Sequence, residues 1–361
     1  MTTRRSLIAG AAAATGAFAA PAIAQGRQEW RMVTAWPKDL PGAGVGARRL
    51  AERITALTEG RLTVSLHPAG ELVPVQENMD AVVDGRAEMS HDMASFYISK
   101  SPAFAFFSAV PFGMIAQEHN AWITFGGGQA LWEALGAKYG IRAFLAGNTG
   151  GQLGGWFRKE ISGVADLKGL RFRVQGLSGQ ALSRLGVKQV LMPGGAILAA
   201  LKSGDIDAAE FMGPVNDAPF RFQDAAKICY WPGFQDPAAA FQLQVNAERF
   251  ASLPAPLQAA VEAACGEENG RSLSDYSART PAIIADLLGQ GVMFKQFPPD
   301  VFEAFGRSVG EILAEVVESG DETVKRVAAS YFGFRAKTML WTRLADQGFA
   351  NMRLLDYGYP K

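Results

Sequence analysis

The residues of this chain that could hold a ligand are polar side chains at the ends of predicted strands. Arg173 lies at the end of the run Leu170-Arg171-Phe172, and its planar fork of N–H donors matches a carboxylate in a bidentate manner. Asn148 and Gln152 lie in a glycine-rich stretch that lets the backbone pass close to a ligand. Ligands of open α/β sheets bind beyond the carboxyl ends of strands, so these residues predict a site for a small acid. A surface position for Arg173, like that of Arg171, is an equal alternative from the pattern alone.

Two carboxylates are predicted at the same edge. Glu210 ends the strand 206–209, and Asp236 lies in an aromatic-rich loop. Both would repel an anionic ligand unless a cation lay between them, and a hard ion such as Na⁺ or Ca²⁺ takes carboxylate, amide and backbone oxygens. A 2-oxo or 2-hydroxy acid offers two adjacent oxygens to such an ion. Phe96 and Tyr97 supply an aromatic wall and a hydroxyl.

The elements that must position these residues follow an α/β pattern. Alternating apolar residues predict strands over 30–36 and 61–67 on either side of a helix over 42–58. The second such unit runs from 170 to 192. Segments 79–89 and 198–208 resemble each other, each a helix that ends at a glycine and is followed by a short strand. These patterns predict two similarly built lobes.

Residues beyond 253 are predicted to be helical. Apolar spacing indicates helices over 254–276, 282–288, 298–319 and 323–348. The Gly126-Gly127-Gly128 run is predicted to be a loop or a helix start, not a phosphate site. No low-complexity linker separates the lobes, which favours several crossings and a hinge.

Composition excludes several classes of protein. The full chain has equal numbers of basic and acidic residues, 35 of each, and no basic run that would hold nucleic acid. Its three histidines are scattered, which disfavours a zinc or copper site, and His91 is predicted to be a hydrogen-bonded structural residue. We favour free, buried thiols over a disulfide for Cys229 and Cys265.

The N-terminus has the pattern of an export signal. Arg4 and Arg5 precede a short apolar run that ends in Ala22-Ile23-Ala24, a small-x-small cleavage pattern. The run is too short to span a bilayer. We predict a twin-arginine signal peptide over residues 1–25, in preference to the ordinary Sec route or a buried helix. The mature chain is then expected to work in the periplasm.

Motifs for catalysis are missing from the sequence. There is no G-x-S-x-G, P-loop or H-E-x-x-H pattern. A two-lobed chain without a catalytic set is predicted to be a binding protein and not an enzyme. One alternative is a receptor for a C4-dicarboxylate or a sugar acid without metal. The other is a periplasmic lyase or hydrolase with Glu210 or Asp236 as base.

These segments together resemble a known family. Residues 147–158, 166–174 and 204–214, with Gly70-Glu71-Leu72-Val73-Pro74, are similar to the periplasmic receptors of tripartite ATP-independent periplasmic (TRAP) transporters. The similarity covers the mature chain and is greatest to the branch that binds 2-oxo acids such as pyruvate. It implies a two-lobed, class II type periplasmic-binding-protein fold with a hinge and long C-terminal helices, and a membrane permease as partner.

The resemblance also implies roles for individual residues. Arg173 would bind the ligand carboxylate, and Asn148 and Tyr97 would face the substrate. The candidate metal ligands are Gln152, Glu210, the Phe211 carbonyl and Asp236. Phe211 stands where the family pattern has tryptophan, which changes the shape of the pocket. Asp236 stands where we expect glutamate, which leaves Ca²⁺, Na⁺, a water-mediated contact or no ion as alternatives.

We predict two lobes, each built from two separate parts of the chain, and a C-terminal region. Lobe 1 is predicted from residues 26–147 and about 238–280, and lobe 2 from 148–237 and about 281–322. Residues 323–361 form a C-terminal helix that the resemblance implies is exchanged in a homodimer. We therefore expect a receptor for a small 2-oxo or 2-hydroxy monocarboxylate, with a hard cation, that docks on a TRAP permease.

Overall fold

Two mixed β-sheets with helices on their faces give the chain an α/β architecture. The computed structural model describes residues 26–358, and the predicted signal peptide, residues 1–25, lies outside them. The strands are β1 (Gln28–Thr34), β2 (Leu62–His67), β3 (Met89–Asp92), β4 (Ile141–Asn148), β5 (Gly155–Phe157), β6 (Arg171–Arg173), β7 (Lys188–Val190), β8 (Ala208–Ala209), β9 (Ile228–Trp231), β10 (Ala240–Asn246) and β11 (Met293–Gln296).

Helices connect and cover the strands. Short 3₁₀ turns lie between several of them, including one at Ala94–Tyr97. The α-helices are α1 (Ala43–Leu57), α2 (Asn78–Val83), α3 (Ala116–Phe125), α4 (Gly128–Ala137), α5 (Gly176–Arg184), α6 (Gly194–Ser203), α7 (Pro214–Asp217), α8 (Ala247–Ser252), α9 (Ala255–Gly289), α10 (Pro299–Ser319), α11 (Glu322–Thr342) and α12 (Gly348–Met352).

The strand orders separate early and late parts of the chain. The first sheet has the order β2-β1-β3-β10-β4, and the second has β11-β9-β5-β8-β6-β7. The chain passes between the sheets after β4, returns after β9, and passes again along α9. How the helices divide between two lobes, and so the predicted lobe boundaries, stays a prediction.

The two predicted βαβ units are confirmed. β1 and β2 pair in parallel, with α1 between them in the chain, and β6 and β7 pair in parallel around α5. Leu50 and Ile54 of α1 are fully buried against the first sheet. Thr58 closes the helix, because its hydroxyl lies 2.9 Å from both the Ile54 carbonyl and the Leu62 carbonyl. Gly60 then reverses the chain with φ of 71°.

The two similar sequence segments, 79–89 and 198–208, have similar structures. α2 is followed by Gly85 and α6 by Gly204, and both glycines have left-handed φ angles, 79° and 83°. β3 and β8 follow directly in their respective sheets. At Gly127 the predicted helix start is also found, since this left-handed residue precedes α4.

The expected break between helices 254–276 and 282–288 is wrong. A single helix of 35 residues, α9, runs through Pro281 and is about 52 Å long. Leu257 and Val261 pack in the core of the first sheet, and Leu287 packs in the core of the second. Packing at both ends offsets the hydrogen bond that Pro281 cannot donate, a local defect that costs about 3 kcal/mol.

The C-terminal helices pack on the molecule and then leave it. Tyr331 of α11 is buried against Phe106 and Trp122, and its hydroxyl accepts a hydrogen bond from the Met114 amide at 3.0 Å. From Met339 onward the large apolar side chains are exposed. A π-helical turn, Arg343–Gln347, joins α11 to α12. Within residues 26–358, no helix combines the length and apolarity needed to cross a bilayer.

Candidate functional site

Arg173 is buried at the end of β6, on the strand that also carries Arg171. Its side chain is only 4% exposed, and Nε and Nη1 donate to the carbonyls of Met192 at 3.2 Å and Glu210 at 2.6 Å. The Arg171 side chain is 40% exposed and pairs with Asp207 at 2.7 Å. The structure therefore separates two arginines that the sequence pattern left equivalent.

Glu210 lies directly beside this guanidinium. Its carboxylate Oε2 is 3.7 Å from Nη1 of Arg173, and its amide donates to the Arg173 carbonyl at 2.9 Å. Burial raises the pKa of Glu210 well above its usual range, and the neighbouring charge of Asp236 raises it further, whereas Arg173 lowers it. A further positive charge beside Glu210 would stabilise the ionised form of its carboxyl.

Asp236 lies in the segment that returns from β9 to β10 and is half-buried. Burial raises the pKa of its carboxyl, and Arg173 opposes that rise. The negative charge of Asp236 acts to raise the pKa of both Arg173 and Glu210. The loop therefore brings Asp236 close to both of these residues. The two predicted carboxylates and the predicted arginine thus form one group.

Asp217 is a third acid beside this group, and the sequence analysis did not single it out. Its carboxylate accepts hydrogen bonds from Trp156 Nε1 at 2.8 Å and from the Met212 amide at 3.3 Å. Burial raises its pKa to about 7. Pro214 was the available signal in the sequence, because proline is common at the first position of a helix. It would have placed Asp217 in the first turn of α7, where an acidic side chain is stabilising.

Gln152 lies against Gly213 and Gly233, in the loops that lead from Glu210 and to Asp236. Its side-chain Nε2 donates to Thr149 Oγ1 at 3.0 Å. Its backbone carbonyl accepts from the backbone amide of Gly233 at 3.0 Å, three residues before Asp236. Gln152 Oε1 and Glu210 Oε1 are both buried and have no hydrogen-bond partner in the structure. Unpaired buried oxygens are costly, and amide and carboxylate oxygens of this kind are suitable ligands for a hard cation.

The other candidate donors for a cation are oxygens as well. Glu210 and Asp236 offer carboxylates, and Phe211 offers its backbone carbonyl. Within the described part of the chain, no group of three or more His, Cys, Asp and Glu side chains is placed to bind a metal. An ion at this site would therefore depend on the amide of Gln152 and on backbone oxygens, a set that suits Na⁺ or Ca²⁺.

Asn148 ends β4, where the chain leaves the first sheet. Its backbone amide donates to Ser272 Oγ of α9 at 2.8 Å, and its side-chain Oδ1 accepts from the backbone amide of Gly150 at 2.8 Å. The Nδ2 donor is buried and unpaired. Asn148 is therefore held by its backbone amide and its Oδ1, and both N–H groups of Nδ2 are free to donate to a ligand.

Aromatic side chains surround the polar group. Phe211 places its ring 5.4 Å from the Arg173 guanidinium carbon. Phe96, in the 3₁₀ turn that follows β3, packs on Trp36, and both belong with Phe211 to one apolar cluster. The sequence analysis placed Trp36 only at the end of the predicted strand 30–36 and gave it no role in the site, whereas β1 ends at Thr34 and Trp36 lies two residues beyond it.

Tyr97 is not brought to the Arg173 group by any contact in the structure. Its hydroxyl donates to Asp92 at 2.5 Å and accepts from Gln244 Nε2 at 2.8 Å. The ring packs on Phe104 on the far side of the turn from Phe96. A substrate contact for Tyr97, which the resemblance implies, stays a prediction.

The structural roles predicted for His91 and the cysteines are confirmed. His91 accepts a hydrogen bond from Trp36 Nε1 at 2.8 Å through Nδ1, and its Nε2 lies 3.1 Å from the Ala146 carbonyl. Burial lowers its pKa to about 4, so the ring is neutral at physiological pH. Cys229 and Cys265 are buried, free thiols in the cores of different sheets.

Comparison with protein families places this site in context. The model of the bacterial extracellular solute-binding proteins, family 7, matches residues 34–319. The chain belongs to this family. A relative from Nostoc sp., named a monocarboxylate 2-oxoacid-binding periplasmic protein, is 39% identical over 322 residues, which cover 89% of this chain and 88% of the relative. The resemblance stated from the sequence is thus confirmed.

Solved structures of family 7 proteins share the fold. A TRAP transporter solute-binding protein from Bordetella bronchiseptica, solved with calcium and picolinate, is 38% identical, with a TM-score of 0.88, covering 91% of this chain and 98% of its own. A TRAP periplasmic solute-binding protein from Pseudoalteromonas atlantica, with sodium and pyruvate, is 32% identical, with a TM-score of 0.86, covering 90% and 99%. The predicted two-lobed α/β receptor fold is confirmed.

Proposed function

We propose that this protein is a periplasmic receptor that binds a small 2-oxo or 2-hydroxy monocarboxylate together with Na⁺ or Ca²⁺ and delivers it to a TRAP permease. The observation that carries the proposal is the buried Arg173, whose Nη1 lies 3.7 Å from the Glu210 carboxylate, together with the buried oxygens Glu210 Oε1 and Gln152 Oε1, which have no hydrogen-bond partner in the structure. An anion and a cation together satisfy all three groups, whereas an anion alone would face the acids without compensation.

Arg173 supplies the site for the ligand carboxylate. The Met192 and Glu210 carbonyls hold Nε and Nη1, which fixes the plane of the guanidinium before a ligand arrives. A planar, pre-oriented fork loses little entropy on binding a carboxylate. Asn148 Nδ2 is the further donor available to a ligand oxygen.

The cation site uses Gln152, Glu210, Asp236 and the carbonyl of Phe211. A bound ion supplies positive charge between the two acids and the ligand oxygens. Asp236 is one methylene shorter than the glutamate expected from the family pattern, and the proposal includes both Na⁺ and Ca²⁺ as the ion. The Pseudoalteromonas structure was solved with sodium and the Bordetella structure with calcium, which supports both.

Export and docking complete the proposal. The twin arginines at positions 4 and 5 support export through the twin-arginine route, and the family's relatives are periplasmic. In this proposal Glu210 and Asp236 are ligands of the cation and have no catalytic role. The protein is therefore proposed to be a receptor and not an enzyme.

We also propose that the protein forms a homodimer through its C-terminal helix. Beyond position 338 the apolar side chains point away from the rest of the molecule, which is typical of an association surface. The Bordetella relative is described as a dimer. The exposed side chains are Met339, Leu340, Trp341, Leu344, Phe349, Met352, Leu354, Leu355 and Tyr357.

Isothermal titration of the mature protein tests the ligand and the ion together. Pyruvate, lactate, succinate and a sugar acid are titrated in sodium buffer, in calcium buffer, and in potassium buffer with EDTA. The proposal expects binding of pyruvate or lactate that depends on sodium or calcium. Binding of succinate or the sugar acid alone, with no ion dependence, would support the metal-free receptor instead. NMR of the mixtures should show no turnover of the bound acid.

A further inference from the structure

A buried acid in the first sheet has a hydrogen-bond network that the proposed site does not use. Asp92, at the end of β3, is fully buried. Its carboxylate accepts from Ser90 Oγ at 2.8 Å, Tyr97 Oη at 2.5 Å, Gln242 Nε2 at 2.7 Å and Gln244 Nε2 at 3.0 Å. Within residues 26–358, Asp92 forms no ion pair, so neutral groups alone hold it.

The donors to Asp92 come from two kinds of element. Ser90 is on β3 itself, and Gln242 and Gln244 are on the paired strand β10, so these three are fixed by the sheet. Tyr97 is the last residue of the 3₁₀ turn Ala94–Tyr97, which follows β3. Its hydrogen bond is therefore the contact by which the network holds the turn.

The residue before Tyr97 in the same turn, Phe96, also packs in an apolar cluster that does not contain Tyr97. Phe96 packs on Trp36, with 6.3 Å between ring centroids. Met93, directly before the turn, and Phe96 belong to the apolar cluster that includes Met212 and Phe211 from the second sheet. Phe211 in turn lies against Arg173. The turn thus connects Asp92 on one side with the walls around Arg173 on the other.

We propose that Asp92 and Tyr97 are positioning residues, in place of the direct substrate contact that the resemblance implies for Tyr97, and that they fix Met93 and Phe96 and thereby set which ligand side chains fit the proposed site. An apolar residue at position 92 would fill the space without the cost of a desolvated carboxyl. A buried, fully donated carboxylate instead fixes the direction of each partner side chain. This inference rests on the proposed function, because it concerns the ligand of the same site.

Two single substitutions within the network separate positioning from simple support of the fold. Tyr97→Phe removes the donor on the turn, and Ser90→Ala removes a donor to the same Asp92 oxygen from the strand. Both leave Asp92 with one donor fewer, but only Tyr97→Phe removes the hydrogen bond between Asp92 and the turn. Neither residue is a contact of Arg173 or of the candidate cation ligands.

The measurement is the ratio of dissociation constants for pyruvate and 2-oxo-4-methylvalerate, by titration in the ion that supports binding. We expect Tyr97→Phe to change this ratio by about fivefold or more, chiefly by weakening pyruvate binding, as the loss of one hydrogen bond predicts. Ser90→Ala is expected to keep the ratio within about twofold of wild type. Thermal unfolding is measured for both, since a structural role alone would lower stability in both alike.

Equal ratios in the two variants would overturn the inference. Asp92→Asn is a second variant that is expected to shift the ratio in the same direction as Tyr97→Phe, and if it does not fold, Tyr97→Phe decides alone. The wild-type titration keeps the two proposals apart. Failure of the wild type to bind either acid would overturn the proposed function, whereas wild-type binding with unchanged ratios overturns only the positioning role.

Discussion

Replacement of Arg173 by alanine is the sharpest test of the proposed site, and Arg171→Ala is its matched control. The two residues lie on the same short strand, β6, and have the same side chain. Arg173 is 4% exposed beside Glu210, whereas Arg171 is 40% exposed beside Asp207. Any effect of removing a positive charge from this strand in general should therefore be seen in both variants.

The expected size of the effect follows from the burial of Arg173. Truncating one partner of a buried, hydrogen-bonded charge pair costs about 2–5 kcal/mol, which corresponds to a loss of about 30-fold to 5,000-fold in affinity. The exposed pair of Arg171 with Asp207 contributes about 0–1 kcal/mol to stability and nothing to ligand binding. Arg173→Lys should keep the charge but lose the planar fork, with a loss of about tenfold or more.

Isothermal titration with pyruvate, extended to millimolar ligand for the weak variants, measures these differences. Circular dichroism of each variant confirms that it is folded before titration. An Arg173→Ala affinity within threefold of wild type, with Arg171→Ala weakened as much or more, would refute the assignment of the carboxylate to Arg173. The amide of pyruvic acid, which lacks the carboxylate, provides a further check, because it should not compete with pyruvate for binding.

The remaining predictions concern the ion, an acid and the C-terminal helix. Removing sodium and calcium should weaken pyruvate binding by about tenfold or more, and Gln152→Ala should reduce the ion dependence, both by titration. In ligand-free protein without these ions, the free energy of unfolding should rise as pH falls from about 7 toward 4. The raised pKa of Asp217 makes the folded state bind a proton that the unfolded state has lost, and Asp217→Asn should flatten this slope in urea unfolding. Removal of residues 339–361 should give a monomer in sedimentation analysis, with pyruvate affinity within twofold of the full-length protein.

The sequence predicted most of the fold because local patterns and tertiary packing agree there. The units around α1 and α5 have regular apolar spacing and end at glycines that must adopt left-handed φ angles. α9 is the exception, since Pro281 is a local signal for a helix end. Packing of the two ends of α9 in two different cores is a long-range effect, which no window along the sequence contains.

The candidate site was predictable in its residue types but not in its geometry. The positions of Arg173, Glu210 and Asp236 after strands indicated a common edge, and the structure brings them together. Alternation along β6 could not distinguish Arg173 from Arg171, because the two residues lie on the same face of the strand. Burial decided between them, and it depends on segments far along the chain.

Tyr97 shows the opposite limit. The sequence offered its hydroxyl as a ligand contact, but a buried acid five residues earlier holds that hydroxyl. Asp92 gave no signal, since a single aspartate at a strand end is common in turns. Only the pairing of β3 with β10 shows that Gln242 and Gln244 converge on it.

The shared helix α9 also has a consequence for how the molecule is made. Neither core is complete without side chains from this helix, and its last residues come late in the chain, at position 289 of 361. During synthesis both halves must therefore wait for the same segment before they can finish folding. The twin-arginine route proposed above would suit such a molecule, because that route exports proteins after folding and neither core can be completed before α9 has been synthesised.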